Sequence, residues 1–414
     1  MQMTQTPAET EDYIEANAQN DPAHGGRMVL NFGPSHPSTH GTLRIILHLE
    51  GENIIKAEPE IGYLHRGVEK LGENLSYAQF MPLTDRLNYC SSVMNNVGYA
   101  LAVEKLLGIE DPPRSKVIRV IVSELARIAD HLVCIGINGV DIGAFSSYLY
   151  LFHERETIYD LLEMAAGQRL HTSFARIGGL MRDIPKDFVP LCQKFLESCP
   201  KTIDEMERLL SRNAIWVDRT KGVGAFTPEQ AISWGYTGPC LRACGVAHDL
   251  RKAQPYLGYE TYDFDIPVGT TGDVFDRYLV RAEEMRQSLV IVKQCLKRLD
   301  EIGPGPVLIQ DYKVALPPKE KVYSRSECLM HHFKLVMHGI QMPEGEVYSA
   351  TEAANGELGF YIVSTGGKSP YRIHVRPPCY PIFSSLDEKI KGRLIADALA
   401  ELGSMNIIAG ELDR

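Results

Sequence analysis

The chain lacks any apolar run approaching the length of a bilayer-spanning helix, which excludes a helical membrane crossing. It also lacks a Cys-x-x-Cys pair. Its nine cysteines (Cys90, Cys134, Cys192, Cys199, Cys240, Cys244, Cys295, Cys328 and Cys379) are scattered, so a disulfide frame, or a zinc or iron–sulfur centre held by this chain alone, is not expected. Positive charge is in deficit: 43 Lys and Arg stand against 53 Asp and Glu, a net −10, and nucleic acid is excluded as the main partner. No internal repeat is present. Residues 1–26 hold no basic or apolar targeting segment, are rich in Glu, Gln, Asn and Ala, and are expected to form a disordered tail, with Arg27 the first basic residue. What remains is ordinary for a large globular protein, 44% apolar and 23% charged over 414 residues.

The stretch around which the chain is organised is Asn31-Phe-Gly-Pro-Ser-His-Pro-Ser-Thr-His-Gly41. His36 and His40 are four apart, but Pro34 and Pro37 remove backbone donors and Gly33 and Gly41 bracket the segment, so a helix is excluded. A tight loop presenting imidazoles is expected. Taken alone it is a polar turn with incidental histidines. It precedes an alternating run, Leu43 to Leu49, and Met28 to Lys56 reads as two or three antiparallel strands. A second compact loop holds Glu60, His65 and Arg66.

Helical periodicity then dominates. Helices are expected over Thr84–Leu107, with Arg86 and Tyr89 one turn apart, and over Val117–Ile137, ended by Gly139 with Asp141 just beyond. Others are expected near Ala144–Ala166, Val189–Leu210, Gly272–Ile302, Lys319–Ile340 and Leu386–Leu402. Three strands follow Ile340, and Gly359–Ser364 pairs with Tyr371–Arg376 as a hairpin. The class is α+β, mostly α: a central long-helix bundle with small antiparallel sheets near the N-terminus and in the C-terminal third. The expected division is a tail (1–26), an N-terminal sheet with site loops (27–72), a helical bundle (73–306), a small α+β segment (307–382), and a C-terminal helix with a buried tail (383–414).

Several strings in this order are specific: Gly33-Pro-Ser-His-Pro-Ser-Thr-His-Gly41, Gly62-Tyr-Leu-His-Arg-Gly67, Asp85-Arg-Leu-Asn-Tyr89, Glu124-Leu-Ala-Arg-Ile-Ala-Asp-His131, Asp276-Arg-Tyr-Leu-Val-Arg281, His331-His-Phe-Lys334 and Gly410-Glu-Leu-Asp-Arg414. From about Met28 onwards the chain closely resembles the D-type, or 49-kilodalton-type, subunit of proton-pumping NADH:quinone oxidoreductase, respiratory complex I. That family is similar to the large subunit of nickel–iron hydrogenases. Hydrogenase chemistry needs four cysteines, and the matching regions here offer only Cys90, so the metal centre cannot be held.

The resemblance implies that the vacated metal cavity takes a quinone head group. His40 and Tyr89 would hydrogen-bond the quinone carbonyls, and Asp141 would pair with His40. His36 would line the same site. Arg66 and His171 would lie beside an iron–sulfur cluster ligated by a neighbouring subunit. Quinone reduction takes two protons as well as two electrons, which a carboxylate-steadied imidazole and a phenol can supply. The resemblance also implies neighbours from the hydrophilic and membrane arms of the complex, and a peripheral position on the cytoplasmic face of the bacterial inner membrane. No cofactor would be bound covalently and no metal held by this chain. Two other readings are open: a metal-dependent hydrolase built on His36, His40 and His65, and a scaffold subunit without chemistry.

Overall fold

The computed structural model describes residues 27–414, so the tail expected at 1–26 lies outside the described residues. Strands β1 (Arg27–Phe32), β2 (Arg44–Glu50) and β3 (Asn53–Glu60) form an antiparallel sheet in that order. The alternation read from the sequence sets its faces: Leu43, Ile45, Leu47 and Leu49 are buried, while the residues between them are not. The buried face packs on Cys240, Cys379, Phe383, Met405 and Ile408, so the first strands of the chain share a core with its last residues.

A second core is made by the long helices. Pro113–Asp141 begins with Pro113 in its first turn, where a missing N–H costs nothing. It buries Ile118, Ile121, Leu125, Ile128 and Leu132 against Phe145–Ala166, Phe188–Leu210 and Val274–Ile302. Each such side chain contributes roughly 1.5–3 kcal/mol. A third core joins the helix Ser92–Leu107 to the sheet formed by Met342–Ala353, Gly356–Gly367 and Arg372–Arg376, which includes the expected hairpin. There a Cβ on Gly98 would come 2.9 Å from Thr351 Oγ1, so the helix lies close on the sheet only because that position is glycine.

Four expected boundaries move. The helix foreseen from Thr84 to Leu107 is two helices, Tyr77–Thr84 and Ser92–Leu107, joined by an irregular connection that carries Arg86 and Tyr89. Gly139 does not end its helix, which runs through Asp141. Its missing side chain admits Ser147, whose Oγ would be 2.8 Å from a Cβ there, and so serves packing. Lys319–Ile340 breaks at Arg325, and Leu386–Leu402 breaks into Leu386–Ile390 and Ile395–Met405 around Gly392 in a left-handed conformation.

The bundle also buries a charge network. Glu124 receives Arg127, Arg251, Ser288 and Tyr259; Arg242 joins Glu284 and Glu352; His131 meets Glu284 at 2.9 Å. Arg127 also donates to the carbonyls of Glu352 and Ala353 at 2.6 and 3.1 Å, fixing the long helix to the edge of the second sheet. Removing one partner from such a set strands a charge in the interior, which costs about 3–5 kcal/mol.

Candidate functional site

The site is built where three irregular segments meet the buried end of the chain. The first is the His36–His40 loop. Gly33 sits at φ +87°, and a Cβ there would be 2.2 Å from the Leu43 carbonyl oxygen, so no other residue fits the turn. Thr39, fully buried, closes the loop by donating its hydroxyl to the His36 carbonyl at 2.9 Å. The His36 Nδ1 accepts from the Ser38 N–H at 3.2 Å, and its ring lies tilted against Phe32 with centroids 4.5 Å apart. His40 ends the turn in a left-handed conformation, φ 54°. Burial lowers its pKa, which favours the neutral imidazole.

The Ser38 hydroxyl donates to Asp141 Oδ1 at 2.9 Å, tying the loop to the last residue of the long helix. The other oxygen, Oδ2, is buried without a hydrogen-bond partner. Burial raises the Asp141 pKa, and the Ser38 bond and the nearby His36 oppose the rise. The sequence-based expectation paired Asp141 with His40. Among the described residues its partner is Ser38, two residues earlier, and the imidazole it feels is that of His36.

The second segment is the Asp85–Ser91 connection. Amide side chains meet its backbone groups: Asn88 Oδ1 accepts from the N–H groups of Cys90 and Ser91, and Asn95 donates to the Asn88 carbonyl at 2.9 Å. Asp85, buried, receives the Ser173 hydroxyl and feels His171, so the His171 region packs on the start of this connection. His171 has φ 52° and its Nδ1 is buried without a partner. Tyr89, half-buried, packs on the cluster that contains Cys379, Met405, Ile408 and Leu412, and burial raises its phenol pKa well above the usual value. It therefore holds its proton at neutral pH.

The third segment is the 62–66 loop. Asp413 accepts from the N–H groups of Gly62 at 3.0 Å and Leu64 at 2.8 Å, and the Asp413 carbonyl meets His65 Nδ1 at 2.6 Å. Arg66 donates to the Arg86 carbonyl at 2.8 Å and to the Gly410 carbonyl at 3.3 Å, which brings it onto the Tyr89 connection. A Cβ on Gly410 would lie 2.5 Å from the Arg86 carbonyl oxygen, so the chain end approaches this connection closely only as glycine. The 37–39 turn rests on the helix Ile395–Met405.

The structure thus rests the turn leading into His40, Tyr89 and Arg66 on the C-terminal residues, and brings Asp141 and His36 to the first loop and His171 to the second. His36, His40 and His65 do not converge with a carboxylate as a ligand set: among the described residues no three His, Cys, Asp or Glu groups are placed to hold a metal ion. Eight of the nine free cysteines are buried and Cys90 is half-buried. A cavity of about 490 Å³ lies beside the site, lined by Gly62, His65, Glu69, Tyr380, Asp413 and Arg414 among others, and neither His40 nor Tyr89 opens into it. Two further acids were not foreseen as site residues. Asp130 and Glu411 are fully buried behind Tyr89, each with one carboxylate oxygen unpartnered. An acid inside the apolar run Ile407–Leu412 was the available signal for Glu411.

Comparison with known proteins gives the chain its family. Residues 141–414 match the family described as the respiratory-chain NADH dehydrogenase 49 Kd subunit. The D-type subunit of NADH-quinone oxidoreductase from Myxococcus xanthus is 52% identical over 388 residues, 94% of this chain and 93% of that protein. Its counterpart in Geotalea uraniireducens is 51% identical over 94% of this chain and 98% of that protein. The C/D-type subunit of the Bdellovibrio bacteriovorus oxidoreductase is 50% identical over 97% of this chain and 71% of its own length. The chain belongs to the family of the 49 Kd subunit of respiratory-chain NADH dehydrogenase, one component of an oxidoreductase complex.

Proposed function

We propose that this chain is the quinone-reducing subunit of proton-pumping NADH:quinone oxidoreductase. The observation that carries the reading is that the Pro37–Thr39 turn leading into His40 and the ring of Tyr89 both rest on the C-terminal residues 395–412, with neither the His40 nor the Tyr89 side chain hydrogen-bonded to another described residue. Two free polar groups against one apolar wall suit the two carbonyls of a quinone head group. The buried phenol keeps its proton until a reduced quinone oxygen takes it, and the neutral His40 offers a ring N–H to the other oxygen. Ser38, held by Asp141, positions His40 from the middle of the three-residue turn that His40 ends.

Electrons would come from an iron–sulfur cluster ligated by a neighbouring subunit, with Arg66 and His171 facing it. This chain supplies the head-group site and the protons. The fold reading also extends to a nickel–iron hydrogenase large-subunit ancestry. In support, the early connection at Cys90 meets the chain end at Gly410–Glu411, as the two ligand-bearing ends of a metal cavity would, but four thiolates are not supplied. Among the described residues no helix is long and apolar enough to cross a membrane, which supports a peripheral position; we place it on the cytoplasmic face of the bacterial inner membrane. The helix Ser326–His338 exposes Leu329, Met330, Phe333, Val336 and Met337, each more than half accessible, a stripe suited to neighbouring components of the complex.

The test is Tyr89→Phe in the assembled complex, assayed with quinone and with a hydrophilic acceptor that takes electrons upstream of the site. Quinone reduction is expected to fall by a factor of about 10² to 10⁴ while the bypass rate holds. Equal losses with both acceptors, or none with either, would remove Tyr89 from the site. Tolerance of substitution at both Tyr89 and His40 would favour a scaffold instead.

A further inference from the structure

Behind Tyr89 lies a set of buried groups that the proposed donors do not use. Asp130 projects from the long helix, and its Oδ1 accepts from Asn406; Oδ2 has no partner. Asn406 also donates to Asn355 Oδ1 at 2.6 Å, Asn355 reaches the Cys379 sulfur at 3.7 Å, and the Cys379 N–H donates to Glu411 Oε1 at 3.3 Å. Glu411 Oε2 has no partner. Both acids are 0% exposed. A carboxylate oxygen left without a donor in the interior costs about 1–3 kcal/mol or more, so a fold keeps such an atom only under constraint. Tyr89 and Cys90 pack on the same cluster, which holds Cys379, Ile408 and Leu412.

We propose that Glu411 is a proton reservoir behind Tyr89: it returns a proton to the tyrosine after the phenol has protonated the quinone, and Asp130 keeps that proton in place. This rests on the quinone reading given above. In the step, two electrons arrive from the neighbouring iron–sulfur subunit. The Tyr89 O–H bond breaks as an O–H bond forms on the reduced quinone, and the other quinone oxygen takes a solvent proton relayed through the His40 ring, which gives one N–H proton as its other nitrogen gains one and so stays neutral. The phenolate is then reprotonated from the Glu411 carboxyl through an intervening water, since the two side chains make no direct bond, and the Glu411 carboxylate takes up a proton from solvent before the next turnover. Glu411 acts through Tyr89 and does not itself touch the quinone, so its role is that of a positioning residue for a proton.

The surroundings favour the protonated acid. Burial pushes the Glu411 carboxyl up, contact with Cys379 holds back part of the rise, and the Asp130 charge adds to it, giving a pKa of about 7. The groups facing it are Cys379 from the helix Cys379–Ser384, Asp130 from the long helix, Tyr89 and Cys90 from the connection, and the more distant Arg376 from the strand Arg372–Arg376 and Arg66 beside Gly410. Of the charges, only the arginines favour ionisation.

The reservoir is filled below about pH 7 and empties above it. In the assembled complex the quinone rate should therefore fall as pH rises through that value. Glu411→Gln should lower the rate by roughly tenfold to a hundredfold, remove this descending limb, and leave the upstream bypass rate intact. Glu411→Asp should restore part of the rate and the limb. Asp130→Asn keeps the acceptor for Asn406 but removes the charge, so the limb should move to lower pH. A Glu411→Gln variant with the parental rate and pH profile would overturn the proposal. Should that variant fail to assemble, an Asp130→Asn profile that does not shift would overturn it equally. Tyr89→Phe serves as the control: if it too spares quinone reduction, the site reading fails, whereas if only Glu411→Gln spares it, the reservoir alone fails.

Discussion

Glu284 and Glu411 are both fully buried glutamates, yet the fold drives their carboxyls in opposite directions from the same starting value of 4.5. Burial pushes Glu284 up as it does Glu411, but Arg242 and His131 outweigh it and hold Glu284 down at about 2. Both its oxygens are engaged, one by Arg242 and one by His131. The same completeness holds for Glu124, Asp249, Glu352 and Glu401. Around Tyr89 and the first loop the pattern changes: Asp130, Asp141 and Glu411 each keep one oxygen without a donor. Burial alone therefore does not separate the regions. In one, both oxygens of each of these carboxylates are met by donors; in the other, each acid leaves one oxygen without a donor.

The sharpest way to break this contrast is Glu284→Gln, which removes the charge that matches Arg242. A loss of about 3–5 kcal/mol is expected at pH 7 by thermal or denaturant unfolding. Because the folded pKa is depressed, the contribution of Glu284 is complete above about pH 4.5 and is lost as pH falls towards 2. Variant and parent should converge in acid. A constant gap down to pH 3 would mean that shape, not charge, holds the pair.

Glu411→Gln should act with the opposite sign on stability. Its folded pKa is raised, so the favourable contribution of the carboxyl is complete below about pH 4.5 and is lost as pH rises through 7. At pH 8 the glutamine variant is expected to be more stable than the parent by about 1–3 kcal/mol, while turning over quinone more slowly. A variant less stable at pH 8 than at pH 5, relative to the parent, would contradict the assignment of the buried mismatch.

Ser38→Ala separates positioning from packing at the first loop. It leaves Asp141 Oδ1 buried without its donor and is expected to cost about 1–3 kcal/mol and slow quinone reduction by loosening His40. Asp141→Asn keeps the acceptor and removes a charge that burial opposes, so its stability should stay within about 1 kcal/mol of the parent. Equal melting of the two variants would show that the Ser38 contact does not hold the loop.

The sequence made the periodic parts legible. Alternation placed Leu43, Ile45, Leu47 and Leu49 inward, and the proline and glycine pattern marked the His36–His40 turn, because both are local properties of a few neighbouring residues. The connection carrying Tyr89 reads as helix because its apolar spacing continues across Leu87 and Val93. What breaks it is long-range: Ser173 holds Asp85, and Arg66 holds the Arg86 carbonyl. Gly139 read as a stop because glycine ends helices, yet here it makes room for Ser147. The partner of Asp141 and the convergence of Asp130 on Glu411 depend on contacts between residues more than a hundred positions apart, which no local pattern encodes.

That distance has a kinetic side. Gly62 and Leu64 find their acceptor in Asp413, 351 and 349 residues further along the chain. Like the buried face of the first sheet, which packs on Cys379, Met405 and Ile408, the loop holding His65 and Arg66 is completed only by residues more than 300 positions away. Contacts of such separation slow folding, since loop closure precedes the contacts that reward it. The loop of the proposed site therefore depends on Asp413, and a variant without that carboxylate would leave the Gly62 and Leu64 N–H groups without their acceptor.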